Sequence, residues 1–127
     1  MKALVLLILV TASSFANAER VHATSGPELI MVELAGCEWC EVWDREIAPV
    51  LPKTPEGKCA TLRLVDLHAP GSDILKHMKP VIYTPTFVVM EQGKEVGRVL
   101  GYAGEDFFWF LLGKELKKLK SGCKLPE

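Results

Sequence analysis

The feature that most constrains this chain is the tetrapeptide Cys-Glu-Trp-Cys at 37–40, which stands between an apolar run and a helical pattern. The run at 29–34 (Leu-Ile-Met-Val-Glu-Leu) is typical of a buried strand, and apolar residues recur at helical spacing over 37–50. The first amides of a helix have no partners inside it, and they stabilise an anion. The thiolate of Cys37 is therefore favoured, and Cys40 lies one turn further on, within reach of a mixed disulfide at Cys37.

Two other interpretations of this cysteine pair stay open. A metal-binding or metallochaperone module would use Cys37 and Cys40 with a histidine, but a closed zinc site needs four ligands. The three histidines (His22, His68 and His77) show no ligand spacing, and the other two cysteines are isolated. The second alternative is a redox-inert interaction domain. The placement of the pair favours a redox dithiol, for which we expect neither a cofactor nor a metal.

Residues 1–18 have the pattern of a secretory signal peptide. A lysine is followed by an apolar run over 3–10 and by Ala-Asn-Ala at 16–18, which fits an A-x-A cleavage site. The apolar run is about half of the ~20 residues that span a bilayer, so an uncleaved anchor is the less favoured alternative. We expect a single domain over 19–127, delivered to the periplasm, where cysteines can pair as disulfides.

The composition argues against two classes of protein. Hydrophobic residues make up 49% of the chain and charged residues 24%, which fits a packed core and not a disordered chain. The 15 lysines and arginines nearly balance the 16 acidic residues, so no strong field of either sign attracts a partner. We therefore expect no nucleic acid among the ligands.

The remaining patterns predict one α/β domain with the order βαβαββα, in which helices cover both faces of a mixed four-stranded sheet. Ser72 is expected to cap the second helix, Gln-Gly at 92–93 to form a hairpin turn, and Gly122 to follow the last helix. The predicted strands cover 29–34, 61–67, 86–90 and 95–100, and the predicted helices cover 37–50, 73–78 and a long segment from 105, with a loop over 53–58. On the last helix we expect Phe107, Phe110 and Leu111 in the core, and Phe108 and Trp109 towards the surface.

This order, the C-x-x-C at the first helix and the Thr-Pro before the third strand resemble the thioredoxin superfamily. The stretches Cys-Glu-Trp-Cys-Glu-Val-Trp and Thr-Pro-Thr-Phe-Val-Val-Met are similar to SoxS-type periplasmic thioredoxins of bacterial sulfur oxidation. The resemblance implies that Cys37 is the nucleophile and Cys40 the resolving thiol. It also implies a cis peptide at Thr84-Pro85, facing the cysteines, where the backbone of Thr84 pairs with an incoming substrate strand.

The same resemblance implies partner proteins and a direction of electron transfer. It indicates a thiol–disulfide oxidoreductase that keeps sulfur-carrier or other periplasmic proteins reduced, with a membrane thiol transporter as the electron donor. The chemistry of the pair runs in either direction. A cytochrome-c-maturation reductase and an oxidase of secreted proteins are therefore the alternatives within the same class.

Two further side chains are candidates at this site. Thioredoxins carry a buried acid on the strand before the cysteines, and here Glu33 is the only acid on that strand. If Glu33 is buried, its pKa rises and it can accept the proton of Cys40, although exposure at the strand end is the alternative. Trp39 offers a flat apolar surface for a partner, or else fills the core. Glu38 is acidic and opposes thiolate formation at Cys37.

The start of the last helix is a candidate glutathione site. The chain is similar to glutaredoxins in having only a short segment before the first strand. The amides at Gly104-Glu105-Asp106 could hold a carboxylate, and the two acids could pair with the amine of the glutamyl group. An ordinary capped helix is the simpler interpretation.

The remaining cysteines, Cys59 and Cys123, fall at the end of the predicted sheet opposite the C-x-x-C. A structural disulfide between them would close a long loop, provided that their Cα atoms lie within about 7 Å. Two free thiols, or a bond to another molecule, are the alternatives.

Overall fold

A computed structural model describes residues 26–70 and 72–126. The predicted signal peptide and its cleavage site lie outside these residues, as does His22. The strands are β1 Glu28–Glu33, β2 Thr61–Asp66, β3 Thr86–Glu91 and β4 Lys94–Leu100, the helices are α1 Glu38–Glu46, α2 Pro55–Cys59 and α3 Glu105–Leu116, and 3-10 helices cover Leu51–Lys53 and Asp73–His77.

The four strands form one mixed sheet, as predicted, and their order in it is β2-β1-β3-β4. Strand β1 runs parallel to β2 and antiparallel to β3, and β3 runs antiparallel to β4. Thr86 therefore stands opposite both Val32 near the end of β1 and Leu100 at the end of β4. We call this edge, where β1 leads to the cysteine pair, the cysteine end of the sheet, and the opposite edge the far end.

The side chains of β1 alternate between two apolar layers. Leu29 and Met31 face α1 and α3, where the rings of Trp43, Phe87 and Phe108 pack with centroids 4.9 to 5.8 Å apart. On the other face, Ile30, Val32 and Val88 are covered by Ile74, Leu75 and Met78. One face thus carries two helices, and the other carries a 3-10 helix and the segment that follows it.

Two predictions on the segment after the cysteines were wrong. Helix α1 ends at Glu46 and not near residue 50, and a short helix, α2, occupies most of the predicted loop 53–58. Thr54 caps α2, because its hydroxyl accepts a hydrogen bond from the Gly57 amide at 3.1 Å. Proline at the first position of α2 favours the helix start instead of a loop.

The predicted core face of α3 was wrong for Phe107 and Phe110, whereas Leu111 is partly buried and packs against the core. Phe108, 1% exposed, packs in the core together with Leu112 and Leu116, which follow it at intervals of one helical turn. Phe107 and Phe110 are 63% and 71% exposed. Six apolar residues in a row, 107–112, leave the phase of a helix open, and Leu116 beyond this run decides it.

Two predicted caps are absent, and the predicted hairpin turn is present. Ser72 makes no capping hydrogen bond with its side chain at the helix that follows it. Gly122 has a positive φ of 71°, but α3 ends at Leu116, so this glycine turns the segment beyond the helix. Gln92 and Gly93 have φ of 50° and 74°, which allows the two-residue turn between β3 and β4.

Two contacts at the far end hold the segment that follows α3. Cys59 and Cys123 form a disulfide with a Cα separation of 5.6 Å. The Glu91 carboxylate accepts hydrogen bonds from the amides of Lys120 and Ser121 at 2.9 and 2.8 Å. These two amide bonds lower the pKa of Glu91, so the carboxylate stays charged in its contact.

We expect the double substitution Cys59→Ser with Cys123→Ser to lower the free energy of unfolding by about 4 kcal/mol, because a loop of this length loses much entropy when it is closed. The two cysteines are 64 residues apart in sequence. Urea unfolding without reductant measures the change. Cys37→Ser with Cys40→Ser is the matched control, with a separation of 3 residues and a smaller expected loss. Equal stability of the first variant and the unmodified protein would contradict this prediction.

Candidate functional site

The Cys37 sulfur caps helix α1. Gly36, with a φ of 78°, and a hydrogen bond from the Cys37 amide to the Leu34 carbonyl at 3.0 Å turn the chain from β1 into the helix. The Cys37 sulfur accepts a hydrogen bond from the Cys40 amide at 3.2 Å. Cys37 and Cys40 form a disulfide with a Cα separation of 5.2 Å. The amides that stabilise an anion at a helix start therefore point at the predicted nucleophile.

The two cysteines differ in exposure. Cys37 is half-buried, whereas Cys40 is 3% exposed and belongs to the core cluster beneath α1. A partner can therefore reach Cys37 directly, but not Cys40. This difference suits a first attack by Cys37 and a second, intramolecular attack by Cys40.

The Thr84–Pro85 peptide is cis and lies at the cysteine end of the sheet, directly before β3. Two hydrogen bonds fix its surroundings: the Gly101 amide donates to the Pro85 carbonyl at 2.8 Å, and the Thr86 hydroxyl donates to the Tyr83 carbonyl at 2.6 Å. Within residues 26–70 and 72–126, no hydrogen bond involves the backbone amide or carbonyl of Thr84. Both groups are free to pair with an extended chain.

Several large apolar side chains are exposed at this end of the molecule, and three of them lie next to the cysteines or the cis-proline in sequence. Trp39, between the cysteines, is 55% exposed, and Ile82 and Tyr83, directly before Thr84, are 76% and 66% exposed. Trp39 was predicted from the sequence as a partner contact, whereas Ile82 and Tyr83 were not. Their signal is an apolar pair between two prolines, Pro80 and Pro85, a spacing that leaves little room for a helix or strand to bury them.

Glu33 lines the same cleft as Cys37 and Cys40, which has a volume of about 310 Å³. The alternation along β1 directs Glu33 to the face that α1 covers. Partial burial raises the pKa of Glu33, and the nearby carboxylates of Asp44 and Asp66 raise it further. A carboxylate with a raised pKa accepts a proton more readily, which is the property expected of a base for Cys40.

Helix α1 is tied to the loop after β4 by one buried hydroxyl. Tyr102 is 7% exposed, and its hydroxyl donates a hydrogen bond to the Glu46 carboxylate at 2.6 Å. Burial and this bond raise the pKa of Tyr102, so the hydroxyl keeps its proton. The contact joins the last turn of α1 to the segment that leads into α3.

Gly104, Glu105 and Asp106 lie at the start of α3, after the end of β4 and therefore at the cysteine end. The Glu105 carboxylate accepts a hydrogen bond from the Trp109 indole at 3.3 Å, which is a contact within the helix. The binding of glutathione at these residues stays a prediction.

Two kinds of feature are absent from residues 26–70 and 72–126: a cluster of metal ligands and a helix that could span a membrane. No group of three or more histidine, cysteine or acidic side chains there is arranged to hold a metal ion. No helix within those residues is long and apolar enough to cross a membrane. A larger cleft, of about 470 Å³, adjoins the Cys59–Cys123 disulfide at the far end and holds none of the predicted catalytic residues.

Several solved structures share this fold. No protein-family sequence model and no curated protein sequence matches the chain. The periplasmic thioredoxin SoxS of Paracoccus pantotrophus, in its reduced form, is 42% identical with a TM-score of 0.68, over 72% of this chain and 97% of that one. Thioredoxins of Malassezia sympodialis and Fasciola hepatica are each 23% identical, with TM-scores of 0.54 and 0.56, over 72% of this chain and 76% and 82% of theirs.

The two more distant structures agree with this chain on the fold. The 42% identity to SoxS extends over nearly the whole of that protein, so it shows a closer relationship to SoxS than to these two thioredoxins. The disulfide-bonded Cys37–Cys40 pair at the start of α1 supplies the chemistry that such a protein needs. The chain therefore belongs to the thioredoxin superfamily, as a SoxS-like thiol–disulfide oxidoreductase.

Proposed function

We propose that this oxidoreductase works in the periplasm, where it reduces disulfides or mixed disulfides of proteins that take part in sulfur oxidation. The observation that carries the redox chemistry is the position of the Cys37 sulfur at the start of α1. This sulfur forms a disulfide with Cys40 and accepts a hydrogen bond from the Cys40 amide. The periplasmic and sulfur-oxidation parts are supported by the identity to the periplasmic thioredoxin SoxS and by the secretory pattern of residues 1–18.

The proposed cycle transfers two electrons from the dithiol to the partner. The Cys37 thiolate attacks one sulfur of the partner disulfide, a mixed disulfide forms, and the other partner sulfur leaves as a thiolate that takes up a proton. Cys40 then loses its proton and attacks the Cys37 sulfur. The mixed disulfide breaks, the partner leaves as a dithiol, and the Cys37–Cys40 disulfide remains. A dithiol on a membrane thiol transporter returns the two electrons.

The partner is proposed to bind as an extended chain beside Thr84. The free amide and carbonyl of Thr84 support this arrangement, because an extended peptide pairs with exposed backbone groups at the edge of a sheet. Trp39, Ile82 and Tyr83 supply apolar surface around the cysteines, and aromatic side chains of this kind are common in protein interfaces.

Cys37→Ser is expected to abolish the reduction of insulin with dithiothreitol as donor, because no other thiol in the site is accessible to a partner. Reduced Cys40→Ser, mixed with insulin in the absence of dithiothreitol, is expected to stop at a mixed disulfide at Cys37, seen by mass spectrometry, because no second thiol resolves it. The Cys59→Ser with Cys123→Ser variant is the control and should retain activity. Insulin reduction by Cys37→Ser at the rate of the unmodified protein would contradict the mechanism.

The Cys40→Ser variant also tests the proposed partners. Expressed in the source bacterium with its native leader, it is expected to form covalent complexes with sulfur-carrier or related periplasmic proteins. The Cys37→Ser, Cys40→Ser variant is the matched control, since it lacks the attacking thiol. Capture of apocytochromes or of a broad set of secreted proteins would count against a role in sulfur oxidation and favour the two alternative oxidoreductases.

Glu33→Gln tests the proposed proton transfer from Cys40. We expect the decay of the mixed disulfide, measured in a single turnover, to slow roughly ten- to hundredfold at neutral pH, because a general base is lost. In the unmodified protein this rate should fall as the pH drops through the raised pKa of Glu33, since the protonated acid accepts no proton. The variant should lack this pH dependence.

Glu33→Gln is expected to slow the reaction but to stabilise the folded protein. Because folding raises the pKa of Glu33, its ionisation destabilises the fold once the pH exceeds that pKa, so Glu33→Gln should raise the urea midpoint at neutral pH. Glu28→Gln, at the other end of β1, is the control for both measurements. An unchanged single-turnover rate in Glu33→Gln would remove Glu33 from the mechanism.

A further inference from the structure

Two charged side chains of β4 lie on a sheet face that is otherwise apolar. Arg98 stands opposite Val88 and Glu95 opposite Met90 in the β3–β4 pairing. Residues that pair across strands share a face, so Arg98 and Glu95 extend the layer that contains Val88 and Met90. The segment that leaves the 3-10 helix Asp73–His77 packs against this layer.

Arg98 and Glu95 bind the main chain of that segment at two successive residues. Arg98 donates to the Lys79 carbonyl at 2.9 Å and to the Pro80 carbonyl at 3.2 Å. The Glu95 carboxylate accepts from the Lys79 amide at 2.8 Å. Three hydrogen bonds therefore join this pair to the two residues that precede Val81.

The pair is also joined internally by a two-pronged contact. The Arg98 guanidinium donates to both oxygens of Glu95, at 2.6 and 2.8 Å. The side chains are 18% and 9% exposed, so solvent screens this contact less than it screens a surface pair. Burial alone would raise the pKa of Glu95, but the hydrogen bonds from Arg98 and from the Lys79 amide outweigh it and lower the pKa. The carboxylate therefore stays charged, and each partner holds the other in place.

The segment 81–85, which we call the docking loop, starts where these bonds end. Its downstream end is fixed by the bonds that the Pro85 and Tyr83 carbonyls accept. Between the two anchors stand the exposed side chains of Ile82 and Tyr83 and the free backbone of Thr84. The loop is thus pinned at both ends, with its middle open to a partner.

We propose that Arg98 and Glu95 are positioning residues for the docking loop, and that they hold it in the geometry in which a partner chain binds. This inference rests on the proposed function, because it assigns a role within protein-disulfide reduction. A preformed loop spares the partner the entropy of ordering it, and its benefit therefore falls on partner binding and not on the chemistry of Cys37. A lysine could keep the charge at 98, but it lacks the planar fork that reaches Glu95 and two carbonyls together.

Arg98→Lys tests the inference through two substrates of the reduced protein. With insulin, we expect KM to rise about five- to tenfold while kcat changes little, because binding is weakened before any bond breaks. With 5,5′-dithiobis(2-nitrobenzoate), a small disulfide that needs no docking loop, the second-order rate should stay unchanged. Glu95→Gln should shift KM in the same direction by a smaller factor. Arg63→Lys is the matched control, since Arg63 lies on the opposite edge strand and pairs with Glu28.

Amide hydrogen exchange gives a readout that does not depend on activity. Exchange at the Lys79 amide, which donates to the Glu95 carboxylate, should become at least about fivefold faster in Arg98→Lys than in Arg63→Lys, because the upstream anchor is loosened. An unchanged KM together with unchanged exchange would overturn the inference. An equal loss of rate with insulin and with 5,5′-dithiobis(2-nitrobenzoate) would also overturn it, because it would indicate a general structural role. If the unmodified protein fails to reduce insulin, the proposed function fails, and the exchange measurement still decides whether the pair anchors the loop.

Discussion

The Cys40 amide donates a hydrogen bond to the Cys37 sulfur, and this contact forms only when a strand, a turn and a helix start all come together. Strand β1 delivers the chain to the cysteine end, Gly36 reverses it with a positive φ, and α1 begins at the next residue after Cys37. The apolar layer beneath α1, built around Trp43, keeps the helix start in place. The reactivity of the sulfur is therefore a property of the folded core, and a change that shifts α1 acts on the chemistry as well as on stability.

At Glu33, the acid at the end of β1, the side chain lowers the stability of the fold instead of adding to it. Leu29 and Met31 share a face with Glu33, and an apolar residue at 33 would continue their layer. Glu33 instead places a carboxylate near Asp44 and Asp66, where burial and like charge both disfavour its ionisation. The proton transfer proposed above for the neighbouring cysteines would account for a carboxylate at this position.

Most elements of the fold were predicted from local patterns in the sequence. The strands and the helix start at Cys37 follow from short apolar runs and turn residues that lie close together in sequence, whereas the order of the strands in the sheet does not. The errors have separate physical causes. Thr54 and Pro55 are start signals of a helix, but the neighbouring Pro52 and Gly57 suggest a loop. At Gly57 a side chain would overlap the Leu51 carbonyl, so glycine here reflects a close approach and not a turn. The bonds from Arg98 to residues 79 and 80 span 19 and 18 positions, and no local pattern indicates them.

The course of α3 has a consequence for how this domain could be attached to other structures. The helix starts at the cysteine end and runs to the far end, where the disulfide to Cys59 fastens the chain at Cys123. The disulfide therefore lies on the side away from Cys37 and the docking loop. A tether, a fusion partner or a solid support attached at an exposed residue beside it, such as Ser121, would orient the reactive edge outward, so the protein could be immobilised without blocking its encounter with another protein.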